Sequence, residues 1–249
     1  MEPITLHPFD PTIAVTFVAA LTGDGPVDPS WLPYVPDSLI HDLGKSRAGD
    51  ENAGNRITLA FARIVASQHP TFFHPGCGLT TWEARVDRGI GLMMRPPSRL
   101  FIEAGLERRQ VEAMPIRLDL QGGMMGGAWI PPRLIGNVRD LLDSRLERMA
   151  KRLHDAEYDP YALLSLMNSA VSYAAERQLG LLEAIGIVGP YGEHESGLNL
   201  VVADSKRMDP ELRQRIQIAI TPPKKPGLMS RLLGKGQPSA NGHLPEDGA

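Results

Sequence analysis

A histidine and an aspartate sit side by side at His41-Asp42, followed by Leu43, Gly44 and Lys45. Imidazole nitrogen and carboxylate oxygen are both good ligands for a divalent metal such as Mn, Fe or Zn. A metal-bound water has a lowered pKa and can attack phosphorus. Lys45 can meet a phosphate as a point charge, and Arg47 or Arg56 can help to hold it. Other histidines offer further nitrogens. His7 lies upstream of the pair, and His69 and His74 lie downstream. Asp140, Asp143 and Asp155 are acids on a later helical stretch, and Asp155 follows His154 in a second His-Asp pair.

The string His41-Asp42-Leu43-Gly44-Lys45 resembles the signature of the HD-domain metal-dependent phosphohydrolases. The resemblance covers these five residues only. It implies a divalent metal held by His41 and Asp42, with His7 as an earlier ligand and His69 available to a second ion. A late aspartate would complete the first site, and Asp140, Asp143 and Asp155 remain open for that place. It also implies a small phosphorylated substrate and an essentially helical fold. The residues themselves allow a second reading, in which His41 and Asp42 form the polar side of a short helix whose Leu39, Ile40 and Leu43 pack inward. The protein would then be a non-catalytic binding module for a protein partner, a regulator, adaptor or toxin-neutralising protein, with the helical hairpin as scaffold and the glycine-methionine loop or the tail carrying the contact.

Other candidate chemistry is weaker. Gly122-Gly123-Met124-Met125-Gly126-Gly127 lacks the lysine and hydroxyl of a phosphate loop and the glycine spacing of a dinucleotide fingerprint. It reads as a hairpin or lid. Glu193-His194-Glu195 reads as an exposed polar loop. Cys77 reads as a small inert thiol.

Composition bounds the rest. The chain has 249 residues, 42% of them hydrophobic, and a net charge of −3. That balance gives no reason to expect general nucleic-acid binding, which is usually basic. The single cysteine, Cys77, excludes an intramolecular disulfide and fits a reducing compartment. No apolar run is long enough to span a bilayer, and a cytoplasmic location is expected.

Several elements must position these residues. The pairs Asp10-Pro11, Asp28-Pro29, Asp159-Pro160 and Asp209-Pro210 are helix-start signals, since aspartate caps and proline tolerates the first turn. Helices are expected over 11–22, from Pro36 to Leu43 with Gly44 as stop, over 56–68, over 132–156 and over 160–179. The last two should form an antiparallel hairpin. Alternation at Ile90–Met94, Ile116–Leu120 and Ile216–Ile220, and the apolar run Leu198–Val202, read as strands. The expectation is an α+β fold, helix-rich, with a small mostly antiparallel sheet. Residues 1–220 should form one globular domain, with a sub-boundary near 80. The proline-rich stretch 221–249 should be a disordered tail.

Overall fold

The computed structural model describes residues 4–33, 35, 38–73, 78–112, 127–185, 200–202, 206 and 208–221. The expected tail beyond Thr221, the expected strand at 116–120, Met124 and Met125, His74, Cys77 and Glu193–Glu195 lie outside them. The fold is α+β and helix-rich. Among the described residues, five strands form one mixed sheet in the order β3-β4-β1-β2-β5. They are β1 (Ile4–Phe9), β2 (Thr71–Phe73), β3 (Trp129–Ile130), β4 (Gly180–Ile185) and β5 (Leu200–Val202). Three pairings are antiparallel and only β2–β5 is parallel.

Alternating side chains send the sheet's two faces into two apolar clusters. Leu6, Phe72, Ile130 and Leu181 face α8 (Pro132–Ser144), α9 (Leu146–Asp155) and α10 (Pro160–Glu176). Phe9, Trp129 and Leu182 face α1 (Thr12–Thr22), α2 (Leu39–Arg47), α3 (Glu51–Gln68) and α6 (Arg99–Glu103). Helices thus cover both faces of the sheet. β1 beyond the half-buried Ile4, and β4 throughout its described side chains, are buried and lack the polar-out alternation that marks a half-exposed strand.

The helices expected near 11–22, 56–68 and 160–179 are present, and their caps explain why. Asp50 accepts from the amides of Asn52 and Ala53 at the start of α3. Asp159 accepts from those of Tyr161 and Ala162 at the start of α10. Leu163, Met167, Ala170, Val171 and Ala174 form the buried stripe of α10, against which α8 and α9 pack.

Four expectations need correction. Residues 132–156 form two helices, because the backbone breaks at Arg145 (φ −123°), whose guanidinium reaches Asp87. Ile90 lies in the helical turn α5 (Arg88–Gly91), begun by Asp87 accepting from the Gly89 amide. Ile216–Ile220 ends α11 (Pro210–Ile220) instead of forming a strand. There the Asp209 cap and Pro210 override alternation, and Ile218 is left 67% exposed. Gly44 does not stop α2. Glycine weakens a helix interior by only about 1 kcal/mol. The chain instead turns at Gly49, whose φ of +96° suits glycine.

Candidate functional site

The signature lies on α2, and α3 packs along it. Asp42 sits in the first turn of α2, where a negative charge complements the helix dipole, while Lys45 and Arg47 occupy the last turn. The Asp42 side chain is buried, at 1% exposure. Arg56 on α3 donates to both of its oxygens, from Nε to Oδ2 at 2.9 Å and from Nη2 to Oδ1 at 2.7 Å. The Ser38 hydroxyl approaches Oδ2 at 3.5 Å. The hydrogen bonds of Arg56 hold the Asp42 carboxyl below the usual carboxylate range and outweigh its burial. This two-pronged pair fastens α2 to α3. His41 and Lys45 are exposed.

The other expected ligands are elsewhere. His7 is buried in β1, within the sheet. Its Nε2 lies 2.7 Å from the Thr5 hydroxyl and its Nδ1 lies 3.3 Å from that of Thr71. Thr5 gives its one hydroxyl proton to the Ala184 carbonyl. With its proton directed there it accepts from Nε2–H, and Nδ1 accepts from Thr71; in the other tautomer both bonds reverse. Both ring nitrogens are spent, and burial lowers the His7 pKa to about 3. His69 closes the C-terminus of α3. Its Nδ1 faces the Tyr173 hydroxyl at 3.3 Å, and burial, then the charge of Arg177, lowers its pKa.

The three late aspartates lie on α8 and α9, across the sheet from Asp42. Asp143 pairs with Arg215 and Asp155 with Lys151, while Asp140 is exposed. Among the described residues no three His, Cys, Asp or Glu side chains gather closely enough to hold one ion. A metal at Asp42 would also have to displace a guanidinium from both carboxylate oxygens. As placed, these residues do not fit a metal centre.

Two buried acids escaped the sequence reading. Asp87, 1% exposed, accepts from Arg145 at 3.0 Å, from Arg148 and from the Gly89 amide. Burial raises its pKa, but the hydrogen bond from Arg148, the Gly89 amide and the charges of both arginines together hold it low. Glu183 projects from β4 and accepts from the Leu79 amide, with the Thr80 hydroxyl at 3.5 Å. Desolvation raises its pKa against those hydrogen bonds. A Cβ at Gly78 or at Gly127 would fall within 3 Å of Glu183, so both glycines give it room. The available signal was a lone acid inside the apolar run Leu181–Ile185.

Among the described residues, a cleft of about 430 Å³ lies between α1, α2 and the stretch from Leu106 into α7 (Arg108–Glu112), and a smaller one of about 260 Å³ lies between Leu142, Leu146, Leu164 and Arg215. Val18, Leu21, Leu43 and Leu106 make the floor of the larger cleft, each 9% exposed or less. Arg47, Arg109, Asp24 and Gln110 stand at its rim. Sequence reasoning marked Arg47 as a phosphate holder but missed Arg109, because a fold is needed to bring residues so far apart in sequence to one opening. Comparison of the chain with family models, curated proteins and solved structures finds no match.

Proposed function

We propose that this protein is a non-catalytic binding protein whose binding site is the α1–α2–α7 cleft. The observation that carries this reading is the lining of the cleft. An apolar floor lies under a rim of Arg47, Arg109, Gln110 and Asp24, and Asp24 takes a hydrogen bond from Thr22. Its volume falls in the range of roughly 300–1,000 Å³ usual for small-ligand sites. The Asp42–Arg56 pair supports the same reading. It gives the signature carboxylate a structural task beside the cleft, since Leu43 and Arg47 of the same helix line it.

The test uses the full chain and anilinonaphthalenesulfonate, a dye that brightens in apolar sites. Saturable one-to-one binding is expected, and Val15→Trp, at the exposed edge of the cleft, should abolish it while leaving the melting temperature unchanged. In parallel, bound Mn, Fe and Zn and hydrolysis of a simple phosphate ester are measured in wild type and Asp42→Ala. Stoichiometric metal that Asp42→Ala loses, together with hydrolysis, would overturn this reading in favour of a metal-dependent phosphohydrolase.

A further inference from the structure

The charge at the rim of the cleft narrows the class of ligand. Arg47 and Arg109 both line the opening and both are exposed. Neither has an acidic partner among the described residues. Four arginines elsewhere in this fold show the contrast: Arg56 is engaged by Asp42, Arg145 and Arg148 by Asp87, and Arg215 by Asp143 and Glu147. The one acid of the rim, Asp24, accepts from the Thr22 hydroxyl at 2.7 Å. Gln110 turns its carbonyl oxygen to the Glu107 amide at 2.9 Å, which leaves its NH₂ as a further donor. The rim therefore presents donors and a formal charge of +1, from two arginines and one aspartate.

The floor asks for something different. Val18, Leu21, Leu43 and Leu106 are aliphatic and Val15 is 37% exposed at the edge. Such a surface gains from covering by an apolar body, at about 25 cal/mol per Å². A fully polar anion would cover it poorly, and a neutral hydrocarbon would leave both guanidinium groups without a partner. A half-open cleft of about 430 Å³ suits a small molecule better than a flat protein surface.

We infer that the cleft takes a small amphipathic acid, with its carboxylate or phosphate headgroup between Arg47 and Arg109 and its apolar chain on Val18, Leu21, Leu43 and Leu106. This rests on the reading of the cleft as the binding site. Guanidinium groups suit either headgroup, because each presents a fork of N–H donors that matches two oxygens. The body of the ligand, not the headgroup, enters the apolar part.

The experiment is calorimetric titration of the full chain with four probes of equal chain length: decanoate, decyl phosphate, decanol and decylamine, all below their micellar concentrations. At least one of the two acids should bind one per chain, roughly tenfold or more tighter than decanol. The better acid identifies the headgroup source. Arg47→Gln with Arg109→Gln should reduce acid binding to the decanol level and leave decanol binding unchanged. Decanol as tight as both acids, or decylamine tighter, would overturn the acid inference while leaving the cleft as a binding site. Failure of all four probes, or binding that Val15→Trp does not disturb, would overturn the cleft reading as well.

Discussion

Each face of the sheet buries one ionisable side chain, and the two are handled in opposite ways. On the face covered by α1–α3, His7 is enclosed by hydroxyls that match both ring nitrogens. On the face covered by α8–α10, Glu183 accepts from the Leu79 amide and is given room by Gly78 and Gly127. Burial disfavours the charged form in both cases, but the charge appears at opposite ends of the pH scale. His7 costs the fold stability when it gains a proton, and Glu183 when it loses one. Both serve the sheet, one by closing a polar network and the other by holding a helix start.

The largest expected effect breaks the histidine side of this comparison. With a folded pKa of about 3 against an ordinary 6.5, the stability His7 contributes is present above pH 6.5 and lost as pH falls toward 3. The slope is roughly 1.4 kcal/mol per pH unit within that window. Urea midpoints measured across pH 3–7 should therefore fall less steeply for His7→Gln, whose amide can donate and accept in the same network. Equal slopes for variant and wild type would place the acid sensitivity elsewhere.

The glutamate side is tested first through its space. In Gly78→Ala the new methyl would lie 2.6 Å from Glu183 Oε2 and 2.9 Å from Ile4 Cγ2. Overpacking of this kind costs about 1–3 kcal/mol, readable as a lower denaturation midpoint. The double variant with Glu183→Ala should recover part of the loss. Charge comes next. Because the Glu183 pKa is raised, its contribution is complete below the ordinary carboxylate range and is lost as pH rises through the raised value. Glu183→Gln should flatten the dependence of stability on pH on that side, opposite in sign to the change at His7. A variant as pH-sensitive as wild type there would show that Glu183 ionises freely.

The smallest effect separates the two halves of the His41-Asp42 pair. His41→Ala removes an exposed side chain and should change stability by no more than about 0.5 kcal/mol. Asp42→Ala removes the anchor of Arg56 and should lower the melting temperature by a few degrees. Equal effects in thermal melts would mean that the two residues act as a unit.

Much of the helical framework was legible because its signals are local. Asp159 and Asp209, read as start signals, cap helices in the structure, and the apolar periodicity of α3 and α10 marks their buried stripes, whereas the Asp50 cap that starts α3 at Glu51, ahead of the expected 56, went unread. The central strands β1 and β4 were hidden because helices cover them on both sides, so no alternation betrays them. Thr5, His7 and Glu183 also interrupt their apolar runs with polar residues whose burial depends on Ala184, Thr71 and Leu79, far along the chain. At 216–220 the isoleucine alternation misled for the converse reason: it is compatible with a strand, but the cap and proline before it had already committed the segment to a helix.

By itself, then, the sequence determined the α+β class, the Asp159 and Asp209 caps and the buried stripes of α3 and α10, because propensity, capping and periodicity act over a few residues. It misjudged the face of α2, where Ile40, expected inside, is 56% exposed and Asp42, expected on the polar side, is buried. Only the tertiary structure decided what the chemistry-bearing residues face. It gave Asp42 to Arg56, surrounded His7 with hydroxyls, and separated the late aspartates from the His-Asp pair by a sheet. It also brought Arg47 and Arg109 to the mouth of one apolar cleft. Charge partners and enclosed volumes are set by distances through space, and no spacing along the chain records them.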